Sequence, residues 1–193
     1  MCTSRIRFVR SRQGGLTLVE LIMFIVIVSV GIAGVLLAMN VTVQHSADPL
    51  ITKQALAIAE SLLEEIELQP YTICDPTDDN VTTATAANEC ASIAQGIGPS
   101  PSNASRFTQL NIPRFNNVGD YAGYSMNPVI DISGSPVAAL SAYRADVSIS
   151  NPAAAINGVP ASEILKIDVR VRGPSNTDLT LTGYRFRYAP NSP

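Results

Sequence analysis

Residues 21–39 contain no ionisable side chain, and one carboxylate, Glu20, stands at their head. As a helix, such a run at about 1.5 Å per residue reaches about 28 Å, against a bilayer hydrocarbon core of about 30 Å. The run therefore predicts a membrane-spanning helix. An acid is costly in that setting, roughly 2.5–3.5 kcal/mol at mid-membrane. Glu20 should have a partner, and the positive end of the helix dipole already favours its charge.

Residues 1–15 carry Arg5, Arg7, Arg10 and Arg12 and no acid. Charge of this sign stays cytoplasmic, so the rest of the chain should point outward. A secretory signal would have an apolar region of about 7–15 residues and a small-residue cleavage site after it. This run is longer, and Ala38-Met39-Asn40 does not make such a site. No cysteine directly follows the span, which argues against lipoprotein processing. Gly14-Gly15 also fits a double-glycine peptide leader, but such leaders do not precede a span bearing a glutamate. A plain signal-anchor stays as the rival reading.

The segment Gly15-Leu16-Thr17-Leu18-Val19-Glu20, with its basic leader and full span, resembles the processing site of type IV prepilins and type II secretion pseudopilins. The resemblance implies cleavage after Gly15 by a prepilin peptidase and N-methylation of Leu16 as the mature amino terminus. Phe is common at that position, and Leu16 departs from it. A free amine at Leu16 would lie four residues before Glu20. In a neighbouring subunit shifted along the axis, that amine would reach the carboxylate and serve assembly. The implied partners are other pilin subunits, the prepilin peptidase and an inner-membrane assembly platform. The implied location is the bacterial inner membrane, single-pass with a cytoplasmic amino terminus, and then the pilus or cell surface. No enzyme activity, cofactor, metal or small-molecule substrate is expected.

The leader holds four of the 13 basic residues, which leaves nine against 16 acids, a side-chain balance of −7. A general nucleic-acid binder would carry a basic patch and a high pI, so nucleic acid is not an expected partner. Of three cysteines, Cys2 lies in the leader. Cys74 and Cys90 remain as an even pair in an outward-facing domain, where an oxidising compartment should join them. The closed loop would contribute roughly 3 kcal/mol in the chain-entropy view. The resemblance supports the pairing, because many pilin-like proteins clip a loop this way.

The division expected is a leader at 1–15, a transmembrane helix at 16–43 and an outward pilin-like domain at 44–193. Within that domain Ile51, Ala55, Ile58, Ala59, Leu62 and Ile66 recur at helical spacing, giving an amphipathic helix over 44–69. Asp48-Pro49 reads as an N-cap and first helical position, a restart or kink. Gly31 and Gly34 lie within the span, where either close helix packing or local unwinding would explain them. Residues 70–105 are rich in Pro, Gly, Ser, Thr and Asn and read as a loop holding the disulfide. Residues 106–193 read as sheet, with short strands at 106–112 and 121–132. Alternation is clear in Tyr143, Ala145, Val147 and Ile149, and in Leu165, Ile167, Val169 and Val171. Leu179 and Leu181 continue it, and the parity slips near Gly183, which predicts a bulge. The fold class is α+β: a long amino-terminal helix packed on an antiparallel sheet, the pilin-like arrangement.

A narrower resemblance lies in Ser46-Ala47-Asp48-Pro49-Leu50-Ile51, Gln54-Ala55-Leu56-Ala57-Ile58-Ala59-Glu60, Leu63-Glu64-Glu65-Ile66 and Cys74-Asp75-Pro76. These stretches are similar to the MshD family of minor pilins, from the mannose-sensitive haemagglutinin pilus. That likeness implies a minor subunit acting in pilus assembly or initiation. A minor pseudopilin of type II secretion and a signal-anchored periplasmic binding domain are the alternatives.

Catalytic motifs are scarce. The one histidine, His45, falls at the predicted membrane edge, so a Ser-His-Asp or Cys-His site in the outer domain has no histidine to use. Gly123-Tyr124-Ser125-Met126-Asn127 begins like a nucleophile elbow but lacks the closing glycine. Asp75, Asp78, Asp79 and Asn80 would suit calcium by ligand type, yet their spacing is not that of an EF-hand, and turn chemistry accounts for them more simply. Arg170, Arg172, Arg185 and Arg187 are candidates for a basic stripe on one sheet face.

Overall fold

The computed structural model describes residue 15, residues 17–107 and residues 109–193. The chain divides into two units, Met1–Ser46 and Ala47–Pro193. One helix, α1 (Leu18–Glu67), supplies the described part of the first unit and opens the second. It runs through Pro49 without a break, so the restart expected at Asp48-Pro49 does not occur. Pro49 has no N–H for the carbonyl four residues back. The flanking sequence is helical on both sides, and extending a helix is easier than nucleating a second one.

The sheet of the second unit is a four-stranded antiparallel meander in the order β1 (Ser125–Met126), β2 (Arg144–Ser150), β3 (Ile164–Arg172) and β4 (Asp178–Phe186). With α1 it makes the α+β, pilin-like arrangement. The core is built where two periodicities meet. Ala55, Ile58, Ala59, Leu62 and Ile66 come from one face of the helix. Ala145, Val147 and Ile149 on β2 and Leu165, Ile167, Val169 and Val171 on β3 come from one face of the sheet. All are buried, which at about 25 cal/mol per Å² of apolar area makes this contact the main stabilising one of the unit.

No bulge interrupts β4. Its register with β3 is continuous from Arg172↔Asp178 to Ile164↔Phe186. The parity slip at Gly183 has another cause. Gly183 occupies a helix-facing position, and a Cβ there would stand 2.2 Å from Glu67 Oε1 and 2.9 Å from Leu63 Cδ1. The side-chain ends of Leu63 and Glu67, from the last turns of α1, lie over the bare Cα and would have to move aside for any larger residue. Tyr184 stands on the opposite face, 45% exposed.

The strands expected at 106–112 and 121–132 are largely absent. Among the described residues of the first stretch there is only an isolated bridge, Gln109↔Ile112, and Leu110 is 90% exposed. The second stretch holds the two residues of β1, preceded by a 3-10 turn at Val118–Tyr121, and one isolated bridge, Ile130↔Pro136. Aromatic packing takes the place of strand pairing: Phe115, Tyr121 and Tyr124 meet edge to face, with centroids 4.9–6.2 Å apart.

Candidate functional site

The amino-terminal site starts at Gly15, which is exposed and has nothing within 4 Å of where a Cβ would stand. Leu16 and residues 1–14 lie outside the described residues, so the leader arginines and the proposed mature terminus carry no geometry. Thr17 caps the helix. Its carbonyl accepts the Leu21 N–H at 3.1 Å and its hydroxyl accepts the Glu20 N–H at 3.3 Å. Glu20 therefore sits in the first turn of α1 with its side chain exposed, beside amide groups that carry partial positive charge.

From there Leu18–Leu37 forms an apolar helical surface with mean hydropathy 2.7 and none of it buried against the protein. Large side chains such as Phe24 (64% exposed), Ile27 (68%) and Leu37 (71%) face outward on every side. A soluble monomer does not expose apolar surface on this scale, whereas a span of this length suits lipid. The Ser29 hydroxyl along it is satisfied, donating to the Ile25 carbonyl at 2.7 Å. Gly31 and Gly34 are helical, with open space beside both. The side chain of His45 lies outside the described residues.

In the second unit Cys74 and Cys90 are joined by a disulfide, with Cα atoms 5.5 Å apart. Cys74 packs with Val81 and Ala84 in a small satellite core. Sequence reasoning missed what else fastens this loop. The Asp78 carboxylate is buried and accepts N–H bonds from Asn80, Ala91, Ser92 and Ile93 at 2.7–2.9 Å, and the Ser92 hydroxyl at 3.1 Å. The Ile93 amide and its neighbours hold the carboxyl far below the usual range, against the opposing effect of desolvation. Asp75 caps a turn through the Thr77 N–H at 2.7 Å. Asp78 accepts on both oxygens, whereas Asp75 accepts through Oδ1 and its buried Oδ2 has no partner; among the described residues no group of three His, Cys, Asp or Glu converges as a metal site would.

A third carboxylate, Asp120, is completely buried and accepts bonds from Asn116 N, Asn117 N, Ser100 N and Gln95 Nε2 at 2.9–3.1 Å. Burial pushes its pKa up, and those donors oppose the rise without cancelling it. The helix is tied to this layer by an ion pair. Arg106, 8% exposed, grips Glu65 with two bonds of 2.6 and 2.8 Å, and Tyr121 Oη donates to the same carboxylate at 2.8 Å. Burial alone would raise the Glu65 pKa; the Arg106 and Tyr121 bonds outweigh it and hold the carboxyl low. One signal for Glu65 was present, because Leu62 plus three places it on the apolar stripe of α1.

The basic stripe does not form. Arg170 pairs with Asp178 and Arg172 with Asp146 on the outer sheet face. Arg185 stands opposite Leu165 on the helix-facing side, and Arg187 pairs with Glu163 at 3.2 Å over the Tyr71 ring. The Gly123-Tyr124-Ser125 segment is no elbow either: Ser125 opens β1, and the Gly123 N–H bonds the Val147 carbonyl.

Residues 10–36 match the family described as the prokaryotic N-terminal methylation motif. The chain has a type IV prepilin-like amino terminus. That motif, confined to the amino-terminal segment, is of the type IV pilin and pseudopilin kind. No curated protein and no solved structure matches the chain, so the likeness to MshD rests on the residues quoted above.

Proposed function

We propose that this chain is a minor pilin of a type IV pilus resembling the mannose-sensitive haemagglutinin pilus, and that it acts in pilus assembly or initiation. The methylation motif at residues 10–36, continuous with the bare apolar helix Leu18–Leu37, carries the reading. On this reading the peptidase cuts after Gly15 and the amine of Leu16 is methylated. The subunit waits in the inner membrane with residues 44–193 outward, linked to an assembly platform. Glu20 draws the amine of a neighbouring subunit as the filament grows. An unpaired carboxylate in hydrocarbon is unfavourable and an ion pair relieves it, so docking and charge neutralisation are one step.

A minor pseudopilin of type II secretion would carry the same anchor and the same chemistry at Glu20. The two differ in the machine they join, and co-purification with pilus or with secretion components separates them.

Intact mass and amino-terminal sequence of the membrane-extracted chain, with and without the prepilin peptidase, test the shared part. A mature chain beginning at methylated Leu16 is expected. A chain retaining residues 1–15, or cut beyond the span, would leave a signal-anchored domain instead.

A further inference from the structure

The two edges of the sheet are treated differently by the sequence. At one edge β1 is two residues long, and Pro128 follows two positions after it. Shortness and proline are the usual ways of blocking an edge against further pairing. At the other edge β4 is nine residues long, with no proline, no bulge and no lysine. Among the described residues no segment pairs with its outer side.

The free groups can be named. Gly173 N bonds Thr177 O and Arg187 N bonds Glu163 O, one pair at each end of the β3–β4 ladder. Hydrogen-bonded pairs alternate along an antiparallel ladder. Leu179, Leu181, Gly183 and Arg185 therefore bond inward to β3. Asp178, Thr180, Thr182 and Tyr184 turn their N–H and C=O groups to the open side. The Phe186 carbonyl is taken by Tyr188 N, which closes the edge there.

Side chains beside this edge specify what fits. On the helix-facing side Leu179 and Leu181 are only partly buried. Arg185 has no carboxylate partner among the described residues. It donates to the Gln69 carbonyl and to Tyr188 Oη, both at 3.3 Å, while its buried Nε has no partner. On the outer side Thr180, Thr182 and Tyr184 are exposed and uncharged.

We propose that β4 is a docking edge that accepts an extended strand from a different protein subunit. That strand has apolar residues opposite Leu179 and Leu181, an acid opposite Arg185 and polar residues between them. Backbone bonds supply affinity and the alternate side chains supply selectivity. A second copy fits poorly. Antiparallel self-pairing of β4 centred on Thr182 would set Arg185 opposite Leu179 and give it no acid. The edge belongs to the domain itself, and this inference does not depend on processing at Gly15.

The test uses the full chain in detergent and a synthetic nonapeptide. Threonines alternate with glutamate, alanine, leucine and leucine, read from the peptide's amino end, so that it lies antiparallel to β4. Backbone hydrogen exchange is read with and without it. Saturating peptide is expected to slow the amides of Thr180, Thr182 and Tyr184 about tenfold, and Arg185→Glu to weaken binding about tenfold. A peptide with lysine in place of glutamate should restore binding to that variant. Thr182→Pro should abolish binding and leave the β3 ladder intact, since the lost N–H faces outward. Unchanged exchange, or indifference to the charge swap, would overturn the proposal. Concentration-dependent protection of the same amides without peptide would also overturn it, by making a second copy the occupant.

Discussion

The two halves of α1 use one backbone conformation for opposite ends. Leu18–Leu37 buries nothing within the chain, while Ala55, Ala59 and Ile66 are fully buried. Composition separates them: the first half is apolar all round, and the second confines its apolar residues to one stripe. A helix that is apolar on every side needs an apolar surrounding, and a striped one needs a single partner face. The comparison shows that helix propensity decided neither half. What each half touches is written in the distribution of its side chains around the axis.

The largest effect that would sharpen this contrast lies at the one charge placed on the stripe. Arg106→Ala should destabilise the second unit by about 3 kcal/mol, because Glu65 would keep a partly buried charge with only the Tyr121 bond left. Thermal unfolding of the purified chain reads this out. An equal loss from an amino-half substitution would erase the distinction between the halves. Ile66→Ala should cost about 3 kcal/mol through the cavity it leaves, checked by denaturant unfolding. Gly183→Val should cost about 1 kcal/mol, since the side-chain ends of Leu63 and Glu67 would have to move aside; the same unfolding curve tests it.

The pH dependence is smaller and has a definite sign. Glu65 is held below its unfolded pKa, so its stabilisation is complete above that value, about 4.3. It is lost as pH falls through the folded pKa. Asp120 works the other way. Its raised pKa means the folded state binds the proton more tightly, so its contribution declines as pH rises from the unfolded pKa through the folded one. A melting-temperature profile from pH 7 down to pH 3 should fall at its acid end, and Glu65→Gln should flatten that fall. Smallest of all, Ile27→Ala should change the unfolding of the second unit by less than about 0.5 kcal/mol, as an exposed site away from any packing does.

Much of this architecture was legible because it is periodic. The carboxyl half of α1 announced itself at 3.6-residue spacing, and β3 by its strict alternation of Leu165, Ile167, Val169 and Val171 with Lys166, Asp168, Arg170 and Arg172. The misread parts are those where a distant contact sets local structure. Residues 106–112 have strand-like composition, yet Arg106 is fixed by Glu65 and by the carbonyls of Ile130 and Asp131, not by a neighbouring strand. Gly183 suggested a bulge because alternation treats a missing side chain as an error. It is the imprint of a helix turn that lies far away in the chain. Asp78 was visible as a turn former, but its bonds to Ala91, Ser92 and Ile93 depend on how the loop closes. At the amino terminus the reverse holds: the spacing of Gly15 and Glu20 was plain in the sequence, and the fold of one chain adds little to it.

The clasp of Arg106 and Tyr121 on Glu65 has a mechanical consequence. Tension applied to residue 47 along the helix axis would shear the whole stripe from Ala55 to Ile66 at once, rather than peel it contact by contact. Glu65 lies near the far end of that stripe. Sliding the helix by even one turn would drag its carboxylate out of both grips before the last apolar contacts were lost. The ion pair therefore acts as a detent, and the domain should resist axial load better than its equilibrium stability alone would suggest.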